Sequence, residues 1–495
     1  MSPRTARVMG GGLLLVGLLT AWAGLRATPA EVSPQSFAFL NFDRPGINAH
    51  NSPAVATDPA RPEVAAMADR IDTPQFSCSV ALSDNAGDNW RPLAVPLPAE
   101  APNCYWPDVA YDDRGRLLVL YTSTGGRFNL PVGVWLQPFS GRAPDGPAVR
   151  VASTEAFHAR LAVRGSAVVV AYVQAGPAVV DQGVGFPPGP NPIMVRRSDD
   201  GGATFAAPVA VSEPGRRVAL PSVVLGSDEE LVVGALDLAD DVDDYEGRHG
   251  GQGGEPVEGP WRVVSYRSTD GGASFAPASM VADDLVIPQR IIVNLGPRPS
   301  FAWDLARNRL YAAWDAGRGD GRDVFVARSD DGGANWSPPG AVVERAGTQQ
   351  LPTLGVAPDG RLDVVFYDRS DDPFDHLTEV AMSSSWNGGR TFTTSTISRV
   401  AFDSRIGFGS SQGIPILGSQ LATIARPGGA TAFWSDTRRA TVDNNAQELG
   451  LAQVTVAERG DRRWPVAGVG AALAVAGAVV AVGRRGGKPV TRSDR

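Results

Sequence analysis

The sequence predicts an all-β, seven-bladed β-propeller followed by a C-terminal transmembrane helix, and three observations carry that expectation. A Ser-x-Asp/Asn-x-Gly-x-x-aromatic pattern recurs five times along the body. Short runs rich in Val, Tyr, Phe and Trp, punctuated by Gly and Asp, group into seven meanders at roughly 47–100, 104–153, 156–213, 217–284, 297–345, 350–399 and 413–457. Gly 57 and Pro 40 among 495 residues are spread without a period, which implies many turns between short strands and excludes a coiled coil or a collagen-like chain. With 43% apolar and 20% charged residues the chain can bury a large core, so wholesale disorder is excluded as well.

The two ends read as addresses. Between Arg7 and Arg26 lie 18 uncharged residues with an apolar centre, followed by Ala27-Thr28-Pro29-Ala30. This is the pattern of a secretory signal over residues 1–30, with an uncleaved anchor as the other reading. After a short linker, 458–463, the 20 uncharged residues Trp464 to Gly483 would span about 30 Å as a helix, the thickness of a bilayer's hydrocarbon core. The basic tail 484–495 begins at once with Arg484, Arg485 and Lys488, which by the positive-inside rule leaves the body outside a cell membrane crossed once.

Between these ends stand 37 basic and 52 acidic residues, a net charge of −15. Such a body is repelled by nucleic acid and by anionic lipid surfaces, so no nucleic-acid partner is expected. Lys488 is the only lysine, and the basic chemistry of the body is therefore all guanidinium. Cys78 and Cys104 are the only cysteines. In an exported body they predict a disulfide, here tying the third strand of the first blade to the start of the second, with a free buried pair as the alternative.

The repeated pattern reads SDNAGDNW at 83–90, SDDGGATF at 198–205, STDGGASF at 268–275, SDDGGANW at 329–336 and SSWNGGRTF at 384–392. The serines are spaced by 115, 70, 61 and 56 residues, so the first interval contains a unit without the pattern. Its physical role is local: the Asp or Asn accepts hydrogen bonds from turn amides, the glycine supplies a positive φ, and the aromatic ring packs between sheets. The seventh meander has only three strands, near 417–424, 430–435 and 447–456, and the spare apolar run Ser36 to Phe42 is expected to supply the fourth and clasp the ring.

This pattern resembles the Asp-box, or bacterial neuraminidase repeat, of the sialidase superfamily, over about 47–457. The resemblance implies a propeller, with a six-bladed sialidase-type ring as the alternative to seven. It also implies boxes on the face away from a binding site, and an exo-glycosidase that clamps a substrate carboxylate with three arginines beside a tyrosine nucleophile, an assisting glutamate and an aspartate acid/base. The family's Arg-Ile-Pro signature is not matched by the nearest text, Arg44-Pro45-Gly46-Ile47.

If the boxes mark the bottom, the residues after each second strand mark the top: Asp69-Arg70, Asp237, Asp315 through Arg318, Asp368-Arg369 and Asp436-Thr437-Arg438. Carboxylates and guanidinium groups converging on a funnel suit an anionic or hydroxyl-rich ligand, an extracellular glycan in this setting. The other reading makes each Asp-Arg pair a salt-bridged loop staple. Asp69, Arg70, Arg318, Arg369, Asp436 and Arg438 are the ligand-binding candidates, and Asp315 with Asp368 the carboxylate pair for a two-acid hydrolase. Recognition without turnover, and a scaffold for protein partners, are the competing functions. Tyr121, Tyr172 and Tyr367 occupy equivalent strand ends and read as core, and Glu379 and Glu448 are the few glutamates near this rim.

No cofactor is expected. The acidic stretch Asp237 to Glu258 holds hard oxygen ligands that would suit Ca²⁺, against the reading of a solvated insertion. His50, His158, His249 and His376 lack zinc-ligand spacing.

Overall fold

A computed structural model describes residues 30–43, 48–126, 129–176, 179–180, 184–185, 191–226, 229–239, 261–285, 298–318, 321–407, 417–441, 443–444 and 446–457. The chain divides into the body Val32–Thr455 and a unit of its two ends, Met1–Glu31 with Val456–Arg495, which lies almost wholly outside the described residues. The signal, linker, membrane helix and basic tail expected from sequence fall there. Among the described residues no helix is long and apolar enough to cross a membrane.

The body is all strand, in seven four-stranded antiparallel blades. Labelled A to D from inside outward, blade one runs from His50–Thr57 through Ala65–Ile71 and Ser77–Ser83 to Arg91–Pro92. Strands A and D of the next five blades are Tyr105–Tyr111 and Val149–Ala152, Ala156–Arg164 and Val209–Ala210, Arg217–Leu225 and Ser279–Leu285, Ser300–Asp304 and Gly340–Ala341, and Gln349–Val356 and Thr393–Thr396. Blade seven is built from Ala422–Arg426, Gly429–Asp436 and Glu448–Ala457, with Glu31–Phe39 as its outer strand. The N-terminal clasp thus exists, starting five residues and ending three residues earlier than the apolar run Ser36 to Phe42 suggested. The Leu40 amide bonds the Leu449 carbonyl at 2.8 Å, and the Arg438 guanidinium lies 4.6 Å from the Phe37 ring centre. Closure by both ends of the chain pairs a sheet edge that would otherwise be open.

Second strands such as Leu362–Asp368 are buried on both faces, because each blade is sandwiched between two neighbours; this is why they read as unbroken apolar runs. The core accordingly lies between blades. Leu118 and Leu136 of blade two meet Val168 and Val170 of blade three, and Trp261 of blade four meets Phe301 and Trp314 of blade five. Gly234 is required at that last seam, where a Cβ would come within 1.9 Å of the Phe301 ring.

All five repeated patterns occupy the turn between strands C and D, in blades one, three, four, five and six; the second blade, inside the long first interval, and the seventh have none. In blade three Ser198 donates to Asp200 at 2.7 Å, Gly202 N donates to Ser198 at 2.8 Å, and Thr204 N donates to Asp200 at 2.9 Å. The aromatic reaches the preceding blade: Trp336 Nε1 donates to Ser265 Oγ at 2.9 Å, and Trp90 packs edge-on to Phe433 at 5.6 Å. Since C–D turns share a face with A–B turns, the opposite face, here the top, carries the starts of the A strands and the ends of the B strands. The cysteines are bonded, with a Cα–Cα distance of 5.4 Å, joining blades one and two on the top side.

Candidate functional site

The inner strands of five blades share an irregularity near their upper ends. Ser52, Trp106, His158, Leu220 and Leu351 all have left-handed backbone, with φ of 54°, 51°, 50°, 52° and 53°. At each, pairing with strand B slips, as between Asn51 and Ala54 or between Tyr105 and Asp108. Gly418, at φ 93°, stands just ahead of the seventh inner strand. A bulge of this kind re-aims the side chains around it. The result is contact between blades that are not neighbours. Arg160 of blade three donates to Gln420 of blade seven at 3.0 Å, and Arg298, leading into blade five, lies 3.5 Å from Ser419 of blade seven. In a closed ring such contacts are made only across the axis.

His158 sits at the heart of this axial cluster, fully buried and 4.6 Å from the Trp106 ring. Burial and then the guanidinium groups of Arg298, Arg70 and Arg160 push its pKa well below the usual imidazole range, so the ring is neutral at physiological pH. Arg70 is fully buried, 4.9 Å from the Trp106 ring centre, and pairs with Asp72 at 2.9 Å. Burial opposes its charge, but Asp72 and then Tyr105 outweigh that and hold its pKa above normal. Asp72 is saturated by Tyr105 OH at 2.6 Å and Asn51 Nδ2 at 2.7 Å. Arg160 pairs with Asp108 at 3.3 Å and keeps 20% of its side chain exposed, which makes it the most accessible cation of the group. Three guanidinium groups around a neutral imidazole can hold a carboxylate or sulfate and offer a proton acceptor beside it.

Beside this cluster His50 is held between two carboxylates, Asp69 at 2.6 Å and Asp43 at 3.0 Å. Burial lowers its pKa, but Asp69 and Asp43 outweigh it and push it up to about 10, so this imidazole is a fixed cation.

Of the residues singled out from sequence, Asp69 and Arg70 belong to this region. Asp69 is fully buried and engaged by His50 and Ser79. Asp315 is fully buried, paired with Arg322 and accepting Leu351 N at 3.2 Å; burial raises its pKa against the pull of Arg322. Asp368 bonds Ser370 and Gln349 and lies 3.4 Å from Arg345. Arg369 donates to Thr378 and Ser404, at 3.1 Å and 2.8 Å, and burial lowers its pKa. Arg438 grips Asp436 at 2.7 Å. Arg369 and Arg438 are thus engaged as loop staples at the outer rim. The side chain of Arg318 lies outside the described residues, as do Arg44 to Ile47, His249 and most of the acidic stretch after Asp237.

Tyr121, Tyr172 and Tyr367 are core, as expected; the Tyr367 hydroxyl both donates to and accepts from the Ser435 backbone at 3.0 Å. Glu448 is buried against Arg439 at 3.1 Å, and Glu379, half-buried near Asp371 and Asp368, has a raised pKa chiefly through burial. Among the described residues no group of three or more His, Cys, Asp or Glu is placed to hold a metal ion.

Arg160, Arg298, Asp72 and Tyr105 were not singled out from sequence, and His158 was weighed only as a metal ligand. An X-Pro step recurs at four of the five bulges, Ser52-Pro53, Trp106-Pro107, Leu220-Pro221 and Leu351-Pro352, and again at Arg298-Pro299, which would have drawn attention to Tyr105 and Arg298; the bulge at His158-Ala159 lacks it and left Arg160 unmarked.

No family profile matches the chain, and no curated protein is similar to it in sequence. Solved structures do resemble it. A polysaccharide lyase of family PL25, an ulvan lyase, has a TM-score of 0.50 at 12% identity over 84% of this chain and 98% of its own. The GH93 α-L-arabinofuranosidase of Fusarium graminearum, TM-score 0.42 at 10% identity, covers 73% of this chain and 97% of its own. The phage phi92 endosialidase, TM-score 0.47 at 11% identity, covers 87% of this chain and 69% of its own. The likeness is one of fold. The strand topology itself has seven blades, not the six of the alternative.

Proposed function

We propose that this chain is a cell-surface propeller that binds an acidic extracellular glycan at its axial mouth and processes it there. The observation that carries the reading is the grouping of Arg70, Arg160 and Arg298 around neutral His158, at the top end of the inner strands and opposite the repeated turns. Arg70 and Arg160 each pair with a carboxylate, Asp72 and Asp108, and a bound sugar acid would share those guanidinium groups. Sialidase-type hydrolysis of a terminal sugar is the reaction we favour, with Arg70 among the carboxylate-holding groups and Asp315 and Asp368 as the acids to test. Asp69 would act through His50, while Arg318, Arg369, Asp436 and Arg438 would shape the rim. Among similar folds, the PL25 lyase bound to -[GlcA(1-4)Rha3S]- offers a propeller with an acidic sugar chain in place. Export and anchoring through 1–30 and 464–483 complete the proposal, with the Cys78–Cys104 disulfide as support for an oxidising compartment.

Recognition without turnover has an observation of its own. Asp315 and Asp368 are already engaged by Arg322, Ser370 and Gln349, so neither carboxylate is idle. The deciding experiment incubates the full chain in detergent with sialylated, uronate-bearing and neutral glycans and follows free sugar and unsaturated ends. Product from an acidic glycan that is lost in Arg298→Ala supports the proposal, binding without product favours recognition, and neither binding nor product refutes both.

A further inference from the structure

The Cys78–Cys104 bridge lies against the axial cluster rather than apart from it. Cys78, on strand C of blade one, is the register partner of Arg70 on strand B, so the two side chains leave the same face of the sheet. Cys104 stands immediately before Tyr105 and Trp106, whose ring centres lie 5.5 and 4.9 Å from the Arg70 guanidinium. One covalent link therefore joins the strand pair that carries Arg70 to the two rings that flank it.

The rest of this seam shows what the link holds. Asn103 fastens the start of blade two to its own strand B, accepting the Thr124 amide at 2.8 Å and donating to the Thr124 hydroxyl at 2.9 Å. Toward blade one, Tyr105 stacks on Phe76 at 4.4 Å, 5° from parallel, and donates its hydroxyl to Asp72 at 2.6 Å. Asp72 is the carboxylate paired with Arg70, and Trp106 is the ring against His158. A small shift of blade two's first residues would thus disturb both Arg70 and His158. Cys78 is half-buried and Cys104 buried, so the bridge is approached from the Cys78 side.

We propose that this bridge is a redox-sensitive positioning device for the axial site: the oxidised chain holds Tyr105 and Trp106 against Arg70 and His158, and the reduced chain releases them. The consequence for ligand rests on the acidic-glycan reading above; the opening of the seam does not. The step is exchange with a dithiol reductant. One reductant thiolate attacks the Cys78 sulfur, the S–S bond breaks, and Cys104 leaves as a thiolate that takes up the proton the reductant gave up. The second reductant thiol then attacks the mixed disulfide and releases Cys78, leaving two cysteine thiols and one oxidised, cyclic reductant. The site is then complete only where the bridge persists, outside a reducing compartment.

The test treats the full chain in detergent with dithiothreitol, caps the thiols with iodoacetamide, and compares it with the untreated chain by amide hydrogen exchange and by titration with an acidic oligosaccharide. Reduction is expected to speed exchange in residues 70–76 and 104–109 while the repeated turn at residues 198–204 keeps its protection. Affinity for the acidic oligosaccharide should fall about tenfold, and should return when the bridge is re-formed before capping. Cys78→Ser with Cys104→Ser should behave as the reduced chain does and ignore the reductant. A crosslink that only stabilises would lower the unfolding midpoint and leave exchange and affinity below that midpoint unchanged. That result overturns the proposal, as does exchange that rises in every blade together. If the untreated chain binds no acidic oligosaccharide, the glycan reading fails, and the exchange comparison still decides the seam.

Discussion

The Arg160 guanidinium of the third blade donates to the Gln420 side-chain oxygen of the seventh, 3.0 Å away across the propeller axis. Arg298 makes a second such contact, 3.5 Å from Ser419 of the same blade. Arg160 stands two residues after the bulge at His158, one of five that recur on the inner strands.

Arg160 is the accessible member of that cluster. Arg160→Gln is expected to weaken binding of an acidic glycan by about tenfold to a hundredfold, the range for a hydrogen bond to a charged group, while barely moving the unfolding midpoint. Parallel titrations and thermal scans of both proteins check this.

His50 links stability to pH. Its folded pKa, about 10, lies above the ordinary 6.5, so its contribution is complete below pH 6.5 and is lost as pH rises toward 10. The thermal midpoint should decline across that window, and His50→Asn should flatten the decline. Asp200 and Asp270 act in the opposite sense: their turns hold them near pKa 2, so their contribution is present above about 3.8 and is lost as pH falls toward 2.

Arg361 bonds Asp363 through two 2.8 Å contacts and donates to the carbonyls of Arg426 and Gly429 in blade seven, at 3.1 and 2.7 Å. Arg361→Ala strands a buried carboxylate and two carbonyls. It should cost about 3–5 kcal/mol in denaturant unfolding, and Arg361→Ala with Asp363→Ala should cost less than Arg361→Ala alone.

The Cys78–Cys104 bridge closes a loop of 26 residues. Breaking it by Cys78→Ser with Cys104→Ser should remove about 3–4 kcal/mol of stability, and mass mapping of the untreated protein should find no free thiol.

The fold was legible because its rules are short-range. The repeated turn needs one serine, one Asp or Asn and one glycine at fixed offsets, and the B strands betray their burial by apolar runs. The clasp strand was legible as a surplus, though its bounds were not, because Glu31–Phe39 alternates too weakly to mark its own start. The site was read less well. Asp-Arg pairs at the strand ends advertised Arg369 and Arg438, yet local pairing holds both at the rim. Arg160 reaches the axis beside the bulge of its own strand and Arg298 from the segment leading into blade five, and they meet partners 260 and 121 residues away, which no local pattern encodes.

Titration of the full chain with a uronate- or sialate-bearing oligosaccharide, repeated for Arg298→Ala and at rising salt, tests the axial site most directly. Tight binding that weakens with salt and is lost in Arg298→Ala is expected. Equal binding by the two proteins, or none by either, would contradict an acidic-sugar site on the axis.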